Sequence, residues 1–372
     1  MTPTSRIADS APTIGRRLIL VAIAAAVAGA LLTLSFTYAD HQPAPHGVRI
    51  AVVAPAPVTN HIAAALRQAA PGAFRVVSVP SAAAARAALH DQQARGALVL
   101  GGGDRAEILT AGAAGSALQQ VVATALGQVA TAAHVRASVQ DVVPPNGADR
   151  SGLVTFVFEL GLLVPSVVGS VGLYLVGLRM RVWWRVAAAW LFAALVAALG
   201  TLVVATGFGA LPGHWAAIFG IGMLGALAFI LATAAAQATL GLPATALMAI
   251  LLVFVGNAVS GGSVPTAMLP DVYRQISPWL PNGAIVHGVR AVVYFGGHGV
   301  GQPLLALALW AGAASLLLTA NDVVHALERR RRERGGPVDI AEIYATPGVV
   351  HAAAGLRRRA AAGSEPAGSL PA

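Results

Sequence analysis

Six apolar runs dominate the chain, at 16–39, 152–178, 183–208, 215–240, 243–262 and 303–320. Each is long enough, at 1.5 Å per helical residue, to approach or exceed the ~30 Å hydrocarbon thickness of a bilayer. Residues 1–15 ahead of the first run are polar and are expected to be disordered. The first run follows Arg16 and Arg17 and exceeds the 7–15 residues usual for a signal-peptide core. It therefore reads as a retained anchor, although Thr37, Tyr38 and Ala39 form a passable cleavage site.

Between the first two runs the pattern changes. Over 40–150 short β-type stretches at 48–53, 74–79, 96–100 and 105–110 alternate with Ala-rich helical stretches near 59–70, 82–93 and 116–135. This alternation predicts a small α/β module. Gly101, Gly102, Gly103 and Asp104 follow one of its strands. They read as a turn, because they lack the G-x-G-x-x-G pattern and Asp104 would repel a phosphate.

A second break lies between the last two apolar runs. Residues 256–297 hold Pro265, Pro270, Pro278 and Pro281, with Gly261–Gly262 and Gly296–Gly297 near the ends. One continuous helix is excluded, since each proline removes a backbone donor and clashes with the preceding turn. A free loop is excluded too, because Ile276, Trp279, Ile285, Val286 and Val289 need cover. The pattern predicts two short helices, about 266–276 and 283–295, broken at 278–281 and lying at the outer membrane face as a re-entrant or surface segment spanning 263–297. Trp279 and Tyr294 suit the headgroup level. Arg290, between apolar neighbours, can lay its stem on apolar surface and extend its head to water or phosphate.

Composition sharpens this picture. The 372 residues are 56% hydrophobic and 10% charged, against about 25% charged in ordinary soluble domains. The fold class is therefore an α-helical polytopic membrane protein, with six transmembrane helices and an extracytoplasmic α/β module after the first. All 24 basic residues are arginine and cysteine is absent. A P-loop lysine, a Schiff-base lysine, thiolate chemistry and disulfides are thereby excluded. The net charge of +9 does not signal nucleic acid. Arg16 and Arg17, then Arg179, Arg181 and Arg185, then 329–332, Arg334 and 357–359 all flank or follow apolar runs. Under the positive-inside rule every cluster fits one orientation. Both termini lie inside, 40–150 lies outside, and 321–372 forms a cytoplasmic Arg-rich tail.

Candidate chemistry is sparse. Glu159 is the sole acidic residue within a predicted span, which points either to a pathway or proton-coupling role or to a helix–helix hydrogen bond. Gln237 and Asn257 read as polar contacts between helices. Gly161, Gly169, Gly172, Gly220, Gly222 and Gly225 allow close helix approach, either internally or at a dimer seam. The ten histidines show no metal spacing, and neither a cofactor motif nor a nucleophile elbow is present. The chain is not expected to be an enzyme.

Two arrangements of residues carry a resemblance. One is a leading span, a large external insertion and five further spans. The other is the run Ser260, Gly261, Gly262, Ser263, Val264, Pro265, followed by Met268–Pro270, 276–283 and Val289–Arg290. Together they resemble ABC-2-type (ATP-binding-cassette type 2) permeases, closest to the phage-infection-protein-like branch. The resemblance implies one membrane half of an exporter of lipophilic or amphipathic molecules, embedded in plasma-membrane lipid, with a second permease copy and a separate ATP-binding subunit. It implies a gate or pathway role for Glu159, Gly261, Gly262, Trp279 and Arg290. Arg179, Arg181 and Arg185 are the expected ATPase contact; the other inner connection, 238–243, is short and uncharged. The competing expectation is a non-transporting membrane protein whose external module binds a phage, a cell-wall component or another membrane protein.

Overall fold

The computed structural model describes residues 11–101, 104–177 and 180–334. The expectations for residues 1–10, for Gly102 and Gly103, for Arg179 and for the tail beyond 334 lie outside these. The chain divides into a compact unit ending at Leu318 and a second beginning at Thr319. It is mostly helical, with one small sheet.

Among the described residues, five helices are long and apolar enough to cross a membrane: α1 (Ala11–Asp40), α5 (Val154–Gly177), α6 (Val182–Thr201), α7 (Trp215–Leu240) and α12 (Gly301–Arg334). α6 continues into a π-helical turn, Leu202–Gly207. α1 starts at Ala11, inside the stretch expected to be disordered, and α12 runs well past residue 320. The fifth apolar run differs most from expectation. It forms only Ala244–Val259, made of α8 (Ala244–Ala249), a π-helical stretch (Ile250–Gly256) and α9 (Asn257–Val259). At 1.5 Å per residue this is about 24 Å, short of a full crossing. The count is thus five long helices and one short one.

α7 is the hub. Its sequence is apolar on every side, with Ala and Gly through the middle, so it suits burial all round. Two thirds of its apolar window is buried, against 6% for α1, which stands largely at the edge. Phe158 of α5 lies against Gly222 and Gly200, Ala197 also faces Gly222, and Ile285 lies against Gly225. Gly169 likewise accommodates Phe192. These glycines serve internal packing, whereas Gly161, Gly172 and Gly220 face open space.

The module holds β1 (Val48–Val53), α2 (Ala56–Ala69), β2 (Phe74–Ser78), α3 (Ala82–His90), β3 (Gly96–Leu100), β4 (Arg105–Thr110), α4 (Ser116–Ala132) and β5 (Arg136–Asp141). The sheet order is β2-β1-β3-β4-β5, parallel except where β3 meets β4. β5 has no counterpart in the sequence reading. Its residues Arg136–Asp141 are nearly all exposed at a sheet edge, so they lack the apolar alternation that marks a half-buried strand. Ile50, Val52, Leu98 and Ile108 form one module core with α2 and α4, and Ala51, Ala97 and Leu109 form another with α3.

The 256–297 segment ties module and bundle together. After turns around Gly261 come α10 (Asp271–Ile276), a 3-10 turn (Ser277–Trp279) and α11 (Pro281–Tyr294). α11 buries ten of its residues, and Ala284, Ile285 and Val289 among them join the bundle core. It is an inserted hairpin arm rather than a surface helix. The reason is visible in its sequence: Gly283, Ala284, Gly288 and Ala291 are small enough to pack closely, and Ile285, Val286, Val289, Val292 and Val293 fall on one face of the helix. Met268 packs into one module core and Phe295 into the other. His46 N donates to Ala267 O at 2.9 Å and Gln92 Nε2 to His298 O at 2.7 Å. Both flanks of the hairpin are therefore held by the module.

Candidate functional site

The hairpin tip carries an amide into the apolar core. Pro281 starts α11 and places Asn282, fully buried, opposite Glu159. Asn282 Nδ2 lies 2.6 Å from Glu159 Oε1, 3.0 Å from Leu252 O and 3.3 Å from Asn257 Oδ1. Glu159 sits five residues into α5, about 8 Å from the helix start, and is wholly buried. Among the described residues no cation pairs with it.

Acceptors outnumber donors at this node. One amide group with two hydrogens faces three oxygens, while Glu159 Oε2 and Asn282 Oδ1 have no partner. The π-helical stretch supplies one of the oxygens. Its i→i+5 pattern disturbs the regular ladder, and side chains from two directions take carbonyls there: Asn282 at Leu252 and Ser35 of α1 at Phe254, 2.9 Å. Ser35 also meets Tyr273 OH of α10 at 2.9 Å. Gly256 is required for this closeness, because an added Cβ would collide with Asn282 Oδ1.

About 12 Å farther along α11, Arg290 forms a clamp. Nη1 donates to Gly261 O at 2.7 Å, and Nη2 to Gly152 O at 3.0 Å and Gly262 O at 3.2 Å. Arg290 is 7% exposed, so its head satisfies backbone carbonyls rather than reaching water or phosphate. Beside it Asp149 caps α5, accepting from Leu153 N at 3.0 Å and Val154 N at 3.2 Å. Burial raises the Asp149 carboxyl above its usual range, opposed by those backbone bonds and by the Arg290 charge.

Gly261 has φ +76°, and an added Cβ there would strike Thr266 Oγ1. At Gly262 it would strike Phe156. These glycines are fixed contact points; replacing them with larger residues tests packing before it tests motion. His287 bridges the two arms, with Nδ1 2.7 Å from Gly283 O and Nε2 2.8 Å from Thr266 Oγ1. A carbonyl only accepts, so Nδ1 carries the hydrogen and Nε2 accepts from the hydroxyl.

Trp279 lies at the tip, half exposed, and its carbonyl accepts from Trp310 Nε1 at 2.8 Å. Trp310 is nine residues into α12, about 14 Å from its start. The tip therefore packs beside α12, about two and a half turns in from its start. The structure thus gathers Glu159, Gly261, Gly262, Trp279 and Arg290 around one hairpin. The expected ATPase-contact residues are elsewhere. Arg181 precedes α6 and is exposed, and Arg185 lays its stem against Gly177. Gln237 joins α7 to Thr245 of the short helix at 2.8 Å, as expected of a helix–helix contact.

The sequence reading left Asn282 and Asp149 without a role. Asn282 was detectable as an amide between Pro281 and Gly283 in an apolar stretch, which marks a buried polar tip. Asp149 four residues ahead of Leu153 had the form of a helix cap. Set against known proteins, the chain matches no family model and no curated protein.

Proposed function

We propose that this chain is the membrane-spanning permease subunit of an ATP-binding-cassette exporter of ABC-2 type. It moves a lipophilic or amphipathic substrate out of the cell, as a dimer with separate ATPase chains. The observation that carries the reading is the inserted hairpin with its buried Glu159–Asn282–Asn257 node. A carboxyl and two amides placed inside an apolar bundle are costly, and such groups mark transport routes more often than packing. The π-helical stretch beside the node and the unpaired oxygens within it give the hairpin a second set of contacts to adopt as it moves. Hence Glu159 and Asn282 line the route, the Arg290 clamp holds the closed arrangement, and Gly261–Gly262 anchor the upper turn.

In this reading the chain sits in the plasma membrane. Both termini are cytoplasmic and the module is extracytoplasmic, as the arginine clusters favour. The module connects α1 to α5 on one side of the bundle, which agrees with five long helices plus the short fifth run. Affinity purification of the tagged full chain from native membranes in mild detergent tests the proposal. A second copy and a nucleotide-hydrolysing chain are expected to co-purify. An intact, well-extracted protein that never brings an ATPase would overturn it.

One observation favours a second reading, in which the module is a receptor for an external partner. The connections at 178–181 and 241–243 are only a few residues long and hold no helix among the described residues. That leaves little surface on which an ATPase could act. The same purification separates the two readings.

A further inference from the structure

A second polar cluster lies between the module and the hairpin, away from the Glu159 node. Gln92 and Arg95 from the module, and Thr266, His287 and Arg290 from the hairpin, line a cavity of about 50 Å³. Leu118, in the first turn of α4, forms part of its wall. A water needs about 10–15 Å³ of such space, so the cavity takes a few water-sized atoms, the size of one oxyanion group.

Its chemistry is one-sided. No acidic residue lines it. Arg290 is already occupied by its three carbonyls, and His287 uses both ring nitrogens on Gly283 and Thr266. Gln92 gives its amide to His298 O. Arg95 is left over. Among the described residues its guanidinium has no hydrogen bond or ion pair, it is only partly exposed, and burial lowers its proton affinity. The nearby carboxylates are engaged: Asp91 faces His298 Nε2 at 3.5 Å and Asp149 caps α5 next to Arg290. Repulsion from Arg95 reaches both His287 and Arg290. A partly enclosed Arg95, with Arg290 beside it and no counter-charge of its own, is costly to desolvate, and an anion relieves that cost. The adjoining helix supports the same sign. α4 begins after Gly115 with no side-chain cap, so its first turn adds positive partial charge at this wall.

We propose that this cavity binds one phosphate-type oxyanion, held by Arg95 with the Thr266–His287 pair behind it, and that the bound anion fastens the module to the hairpin. The group can belong to a phospholipid headgroup or to free phosphate; the chemistry is the same. The site stands independently of the exporter proposal, since it rests only on the contact between module and hairpin.

The test uses the purified full chain in a phosphate-free zwitterionic detergent lacking a phosphocholine head. Thermal unfolding is followed against inorganic phosphate, with chloride at equal ionic strength as control, and separately against soluble dihexanoyl phosphatidic acid. A saturable rise in midpoint is expected in at least one arm. Stabilisation by both ligands assigns free oxyanion binding, and stabilisation by the lipid alone assigns the headgroup. In Arg95→Gln the apparent affinity should fall at least about tenfold, while the ligand-free midpoint should not drop, because an uncompensated charge is removed. Should that variant fail to fold, Arg95→Lys carries the test, with weakened but measurable binding expected because a compact ammonium replaces the planar fork. Absence of any saturable shift in the wild type, or an equal shift in the folded Arg95 variant, overturns the proposal.

Discussion

Replacing Arg290 by methionine removes the one side chain that joins α11, the Gly261–Gly262 turn and the start of α5. The structure gives three donor contacts to the carbonyls of Gly261, Gly152 and Gly262, at 2.7, 3.0 and 3.2 Å. Each charge-assisted bond contributes about 1.5–3 kcal/mol, but methionine fills much of the same volume and recovers some apolar contact. Each of the three carbonyls left without its donor costs about 1–3 kcal/mol, so the loss is about 3 kcal/mol or more. Asp149 also loses its neighbouring positive charge. Because every 1.4 kcal/mol is a factor of ten, local opening of the turn should become at least about 100-fold more frequent. Hydrogen exchange of the purified protein reads this directly. The amides of Ser260 and Gly262, bonded to Asn257 O and Ser260 Oγ, and those of Leu153 and Val154, bonded to Asp149, should exchange faster. The module strands should be unaffected. Arg290→Lys keeps the charge but cannot span three carbonyls with one ammonium, so it should fall between wild type and Met. Equal exchange in all three proteins would falsify the clamp.

Four further outcomes follow from the same geometry. Glu159→Gln should fold nearly as well as wild type, because one neutral amide is its partner and no cation depends on it; thermal unfolding in detergent checks this, and a large fall in midpoint would contradict it. Asn282→Leu should destabilise by about 1–3 kcal/mol through the stranded Glu159 and Leu252 oxygens, whereas a stabilised variant would show that the amide makes no net contribution. Gly256→Val should prevent seating of the hairpin and increase proteolysis in 256–297, and wild-type resistance would refute that contact. A reporter fused after Asp149 should be active only in its extracytoplasmic form and one after Gly335 only in its cytoplasmic form; the reverse at either site would sink the orientation.

The long helices were legible because a 20-residue apolar run has few alternatives, and the module strands 48–53, 74–78, 96–100 and 105–110 were legible from their alternation. β5 was not, since an exposed edge strand such as Arg136–Asp141 carries no burial pattern. The fifth run was overestimated at its ends, since 243–262 takes in Pro243 and residues 260–262, whereas the helix covers only Ala244–Val259. The hairpin was legible as a broken segment from its four prolines, but its depth was not. Depth depends on what Gly225 of α7 leaves room for, the Ile285 side chain, and that pairing is distant in sequence. For the same reason Glu159 stood out alone, while its partner Asn282, 123 positions away, did not.

Locking the hairpin tip tests the central claim most directly. The chain has no cysteine, so Trp279→Cys and Trp310→Cys can be joined across the Trp279–Trp310 contact by a short bis-methanethiosulfonate, each thiolate forming a disulfide as methanesulfinate leaves, and a reductant cleaves the link. The doubly substituted chain, together with any ATPase that co-purifies with it, is reconstituted in vesicles and assayed for ATP-dependent movement of a fluorescent short-chain phospholipid. The account predicts export before cross-linking, loss of export on cross-linking, and recovery on cleavage. Export at the same rate with the tip fully cross-linked would contradict it.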